Sequence, residues 1–114
     1  MLPTRPARLI LAASVCLAVL ASASPAVART RWKEFSVPTP ASGPYGITAG
    51  PDGNVWFTEA FASKIGRITP AGAFTEFPLP TAGSDPSGIT PGPDRHLWFT
   101  ELEGNKIGAF RPHV

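Results

Sequence analysis

Gly50-Pro51-Asp52-Gly53-Asn54-Val55-Trp56-Phe57-Thr58-Glu59 is answered by Gly92-Pro93-Asp94-Arg95-His96-Leu97-Trp98-Phe99-Thr100-Glu101, forty-two residues further on. In the first copy, Pro51 presets φ for a turn, and Asp52 and Gly53 tolerate the rest of it. A run of β-branched and aromatic residues follows, the composition of a strand. The same step carries Glu34-Phe35 to Glu76-Phe77, Gly46-Ile47-Thr48 to Gly88-Ile89-Thr90, and Lys64-Ile65-Gly66 to Lys106-Ile107-Gly108, with no insertion between copies. A period of about 40–45 residues made of short β-type runs and turns is the mark of β-propeller blades.

Working outward, one repeat predicts four strands. Tyr45 to Ala49 comes first, then Asn54 to Glu59, then Lys64 to Thr69, and last Ala73 to Leu79. Pro78 removes a ladder donor, which suits an outermost edge strand. The second copy repeats the plan as Ser87 to Pro91, His96 to Glu101 and Lys106 to Arg111. Trp32 to Val37 is expected as an outermost strand without inner strands of its own, placed to latch a ring. No stretch after residue 30 has helical period, and 14 Pro and 11 Gly argue against long helices. The fold class is therefore all-β: four-stranded antiparallel meanders, two blades at residues 34–75 and 76–114.

The first residues have a different composition. Arg5 and Arg8 precede a largely apolar run from Leu9 to Leu20, and Ala26-Val27-Ala28 or Ala21-Ser22-Ala23 supplies a small-x-small cleavage pattern. This predicts a signal peptide over residues 1–28, cut between Ala23 and Ala28, and a secreted product. The run is shorter than the roughly 20 residues of a membrane span. Arg5 and Arg8 leave with it, so eight basic residues face eight acidic ones in residues 29–114. No basic patch then argues for nucleic acid or for a membrane surface after cleavage. Cys16 leaves too, which excludes a disulfide, a thiolate metal site or a cysteine nucleophile from the mature part.

Two blades are too few to close a ring, which takes about 4–8. Each blade offers apolar side chains on both faces, and stacking is what buries them. Three readings answer the mismatch. The chain is an N-terminal portion of a longer product, several copies self-associate through exposed blade faces, or the product never folds stably.

The repeat Glu-Phe-x-(Val/Leu)-Pro-Thr, Gly-Ile-Thr-x-Gly-Pro-Asp, Trp-Phe-Thr-Glu and Lys-Ile-Gly, over residues 32–112, closely resembles the virginiamycin B lyase (streptogramin B lyase) family. The resemblance implies a seven-bladed propeller, of which this chain holds about two blades. It implies an enzyme that linearises a small-molecule cyclic depsipeptide antibiotic by elimination, with Mg²⁺ and a His/Glu constellation. The family's functional histidines stand directly before the Gly-Ile or Ala-Ile pair of late blades. Tyr45 and Ser87 hold those positions here, so no catalytic residue is carried over, and the chain alone is expected to be inactive. The other reading is a non-enzymatic secreted propeller that binds or scaffolds.

Glu59 and Glu101 follow Trp-Phe-Thr in both copies. A residue repeated in every blade builds blades, so each is expected to pair with Lys64, Lys106 or backbone groups. Asp52 and Asp94 are expected as turn residues. His96 and His113 have no second ligand at a fixed spacing, and Trp56 and Trp98 are expected as blade core. Positions that break the repeat near the start of the innermost strand are Tyr45 against Ser87 and Gly43 against Asp85. Tyr45 and Asp85 are the candidate ligand contacts, and no metal ligand is assigned.

Overall fold

The computed structural model describes residues 30–113; the expected signal peptide, residues 1–28, lies outside them. The chain separates into a unit ending at Glu34 and a second unit, Phe35–Val114. The described part of the first unit, residues 30–34, carries no secondary structure. The second unit is all-β apart from one short 3₁₀ turn.

Its first sheet has four antiparallel strands in simple meander order: β1 (Pro44–Ala49), β2 (Val55–Glu59), β3 (Lys64–Ile68) and β4 (Phe74–Pro78). Its second has three: β5 (Pro86–Pro91), β6 (Leu97–Glu101) and β7 (Lys106–Phe110). The register repeats with the sequence. Phe57 faces Gly66 as Phe99 faces Gly108, and Thr48 faces Trp56 as Thr90 faces Trp98. Pro78 closes β4 on the sheet edge, where its missing N–H costs no ladder bond.

Each sheet is built around an aromatic residue laid over a glycine. A Cβ on Gly66 would run into the Phe57 ring, and a Cβ on Gly108 into the Phe99 ring. The cross-strand partner must therefore lack a side chain for the ring to lie flat on the strand. The Gly50 and Gly92 backbones pass just as closely to the indole edges of Trp56 and Trp98.

The turns diverge where the repeats diverge. In the first, Asp52 accepts the Asn54 amide (3.1 Å), the Asn54 side-chain amide (2.9 Å) and the Trp56 indole N–H (2.9 Å). Burial opposes ionisation of Asp52, but those donors together outweigh it and hold the carboxyl below its ordinary value. In the second, Arg95 replaces Gly53, and Pro93–Arg95 form the 3₁₀ turn with φ of 60° at Asp94 and 61° at Arg95.

The core lies between the sheets. Trp56 and Ile65 of the first blade meet Leu97 and Phe99 of the second, with Leu79, Ile89 and Phe110 packed around them. Trp56 stacks on Phe77 at 5.6 Å and meets Phe110 at 5.0 Å between ring centroids. Arg67 lies over Trp56, 5.6 Å from its ring centroid. Full burial of side chains this size contributes about 1.5–3 kcal/mol each.

One expectation fails. Trp32 to Val37 is not a strand; residues 30–37 pair with no ladder. A fourth-strand sequence needs the open edge of a third strand beside it, and β1 and β4 of the first sheet are not that edge. Phe35 instead lies over the β3–β4 turn, where a Cβ on Gly72 would come within 2.6 Å of its ring.

Candidate functional site

The innermost strands β1 and β5 start with a matched irregularity. The β1–β2 register slips between Pro44 and Ile47, and the β5–β6 register between Pro86 and Ile89. Such a bulge re-aims side chains and leaves backbone groups unpaired. A threonine hydroxyl takes up the slack in each blade. The Gly46 amide donates to Thr58 Oγ1 at 2.8 Å, and the Gly88 amide to Thr100 Oγ1 at 2.9 Å. Thr58 then donates to the Ser87 carbonyl at 2.8 Å, joining the first blade to the second. Gly46 must be glycine for this, because a Cβ there would strike that same carbonyl.

The bulge presents Tyr45, 76% exposed, at the start of β1. Tyr45 lines an apolar hollow of about 510 Å³ together with Phe35, Val37, Ile47, Phe57 and Phe74. Ser87, its repeat partner, shares a hydroxyl hydrogen bond with Thr100 at 2.9 Å. Asp85 does not line the hollow. It precedes β5 at φ 53°, as Gly43 precedes β1 at φ 68°, and its carbonyl accepts the Leu102 amide at 3.1 Å as that of Gly43 accepts the Ala60 amide at 2.9 Å. Asp tolerates this left-handed conformation better than most residues. The break in the repeat at Asp85 thus coincides with a backbone requirement. The structure does not bring Tyr45 and Asp85 into one hollow.

A second cluster, which sequence reasoning assigned differently, joins Glu59 to Glu76. Glu59 is fully buried, and its carboxyl oxygens accept from no donor. Burial, then the hydrogen bond to and charge of Glu76, push Glu59 up to about 7, against smaller pulls from Ser42 and Lys64. Glu76 is held below its ordinary value, first by the hydrogen bond from Glu59 and further by Thr39 and Lys64, with burial opposing. Lys64 Nζ lies 3.9 Å from Glu76 Oε1 and 2.9 Å from Thr39 Oγ1, and Thr39 in turn donates to Glu76 at 3.0 Å. The expected Glu59–Lys64 pair is thus replaced by a Glu76–Lys64 pair. The two carboxyls come from β2 and β4, which are not adjacent strands, and no spacing in the sequence signals that meeting.

This cluster does not fit Mg²⁺. That ion takes near-octahedral oxygen ligands, whereas the cluster offers two carboxyls, and the Lys64 ammonium already stands 3.9 Å from Glu76 Oε1. Among the described residues no three His, Cys, Asp or Glu side chains gather as a metal cage. No helix of the described residues is long and apolar enough to cross a membrane.

The family model of the virginiamycin B lyase family matches residues 26–113. The chain belongs to the virginiamycin B lyase family. It is 56% identical over 43 residues to virginiamycin B lyase of Saccharopolyspora erythraea, a stretch that is 38% of this chain and 14% of that protein. It is 50% identical over 42 residues to the Bacillus licheniformis virginiamycin B lyase, 37% of this chain and 14% of that protein. Among solved structures, virginiamycin B lyase from Staphylococcus aureus, in its selenomethionine form, superposes with a TM-score of 0.61 at 44% identity, over 72% of this chain and 31% of that one. A catalytically inactive form of the Staphylococcus aureus enzyme, solved with quinupristin, gives 0.60 at 47% identity, over 70% of this chain and 30% of that one. The matches thus span under a third of the solved relatives and about a seventh of the curated ones. These neighbours are virginiamycin B lyases with the β-propeller fold, as the repeats of this chain require.

Proposed function

We propose that this chain supplies wall-building blades of an exported streptogramin B lyase-type propeller, and performs no elimination by itself. For the complete protein the proposed reaction is ring opening without water. A base takes the proton beside a carbonyl, the ester C–O bond breaks as a C=C bond forms, and the freed carboxylate leaves. That chemistry needs a base at the α-carbon and a positive group at the developing enolate.

The observation that carries this reading is the pair Tyr45 and Ser87. They stand where the resemblance calls for histidine, and neither is placed beside a base: Ser87 is tied to Thr100, and Tyr45 opens onto an apolar hollow. What this stretch of wall offers a cyclic depsipeptide is contact, with Tyr45 and Asp85 as the proposed ligand-facing residues. Mg²⁺, if the complete protein uses it, belongs to residues other than the described ones. Export is supported by Arg5, Arg8, the apolar run Leu9 to Leu20 and the Ala26-Val27-Ala28 pattern.

The test is incubation of the purified protein with a streptogramin B and Mg²⁺, followed by mass analysis. The expected result is unchanged cyclic antibiotic. A linear product at enzyme-dependent rate overturns the proposal. The non-enzymatic alternative gains if a full-length version, with histidine nowhere before Gly-Ile in its further blades, binds the antibiotic and leaves it cyclic.

A further inference from the structure

Asp52-Gly53 is the one Asp-Gly or Asn-Gly step in these 114 residues. Such a step rearranges by itself in water. The glycine nitrogen attacks the aspartate Cγ, a C–N bond forms, and one carboxyl oxygen leaves as water. Water then opens the cyclic imide. Opening at the side-chain carbonyl restores aspartate. Opening at the main-chain carbonyl breaks the original peptide C–N bond and leaves the chain running through the side chain, as isoaspartate. Glycine favours the attack because no Cβ shields its nitrogen or restricts its backbone. The carboxyl reacts in its protonated form, since a carboxylate is a poor electrophile.

The turn selects the reactive residue. Gly53 is exposed at φ 81°, and a Cβ built on it would meet nothing within 4 Å. The left-handed backbone, and not crowding, therefore favours glycine there. The same turn occupies the atoms that the reaction needs. Asp52 Oδ1 accepts the Asn54 amide at 3.1 Å and the Trp56 indole N–H at 2.9 Å, and Oδ2 accepts the Asn54 side-chain amide at 2.9 Å. The Gly53 N–H donates to the Gly50 carbonyl at 3.3 Å. Attack requires the carboxyl to turn from its donors toward Gly53 and to take up a proton. Burial favours that proton, but the Trp56 and Asn54 donors outweigh it and hold the carboxyl below its ordinary value. Trp56 is the rigid end of this clamp, 2% exposed and packed with Ile65, Leu97 and Phe99 between the blades. In the second copy the glycine and the asparagine differ together, as Arg95 and His96.

We propose that Asp52 is a site of isoaspartate formation, held in check in the folded chain by the clamp of Trp56 and Asn54. The indole N–H ties an exposed turn to the packed joint between the blades, so loosening that joint releases the carboxyl for attack by Gly53. The rearranged chain carries one extra main-chain carbon inside the turn that joins β1 to β2. There the Gly50 amide bonds the Asn54 carbonyl at 2.8 Å, and the added atom displaces those two groups from each other. This inference makes no use of any activity toward streptogramins.

The test is incubation of the full chain at mildly acidic pH. Isoaspartate at residue 52 is read by separating the equal-mass peptides that contain it, and amide hydrogen exchange in β2 is followed on the same samples. A synthetic peptide of residues 46–59 gives the unrestrained rate. The chain is expected to rearrange many-fold more slowly than the peptide. Trp56→Phe keeps an aromatic ring and removes the N–H, and Asn54→His brings in the residue of the second turn. Each is expected to raise the rate several-fold with the protection of β2 retained, and such a rise in either variant supports the clamp. Gly53→Arg, also taken from the second turn, is expected to abolish the product. The inference is overturned if the chain rearranges as fast as the peptide, or if both clamp variants keep the parent rate. It is overturned equally if the rate rises only where β2 loses its protection, because unfolding and not the clamp then governs the reaction.

Discussion

The two blades carry nearly the same residues and live in different surroundings. Trp56 and Ile65 are each 2% exposed, whereas Trp98 and Ile107 are 40% and 66% exposed. Phe57 and Phe99, which point the other way along their strands, are almost equally buried at 5% and 6%. A blade's inner stacking of ring on glycine is therefore self-contained, and its flanking face depends on what stands next to it. The motif specifies a half-joint, and the neighbour decides whether it is used.

The largest expected effects test that difference head on. Trp56→Ala should cost about 3–5 kcal/mol in chemical denaturation, the range for emptying a packed aromatic site. Trp98→Ala in dilute protein should cost about 1 kcal/mol or less, because much of its indole already meets water. Next come substitutions that should erase the contrast. Gly66→Ala and Gly108→Ala each force a methyl into a phenylalanine ring. Both should destabilise, by about 1–3 kcal/mol each, since this contact lies inside each blade. A large disparity between them would break the idea that each blade is internally complete.

Smaller effects sharpen the comparison at single hydrogen bonds. Thr58→Ala leaves the Gly46 amide and the Ser87 carbonyl without their shared hydroxyl, at a cost of about 1–3 kcal/mol. Thr100→Ala removes a hydroxyl from a solvated face and should cost roughly 0.5 kcal/mol. The carboxyl pair exists only in the first blade, where β4 brings Glu76. Glu59 is raised in the folded state from 4.5 to about 7. The folded protein therefore binds more protons than the unfolded chain between those values, so this stabilisation is complete below about 4.5 and is lost as pH rises through about 7. Thermal melts across that window should show stability falling with pH in the parent and a flatter profile in Glu59→Gln.

The strands were legible in the sequence almost to the residue. Turn chemistry at Gly50-Pro51-Asp52-Gly53 and the aromatic run after it are local signals, and local signals decide where a meander folds back. Pro78 announced the sheet edge for the same reason. Trp32 to Val37 has the composition of a strand but forms none, because a strand also needs an edge to pair with, and composition cannot supply one. The Glu59–Glu76 pair was illegible because it joins strands separated by β3 in the sheet, and its lysine, Lys64, was assigned to the nearer carboxylate. Asp85 stood out as a break in the repeat. That signal does not distinguish a ligand contact from a left-handed backbone position, and the φ of 53° is visible only in the structure.

Tryptophan quenching tests most directly the idea that each blade face is a half-joint. In a Trp32→Phe background, one protein retains only Trp56 and another only Trp98, the remaining indole being replaced by phenylalanine. Acrylamide should quench Trp98 strongly, while Trp56 stays protected. Equal quenching of the two would contradict the account, since it would mean that the joint between the blades does not shield its own indole.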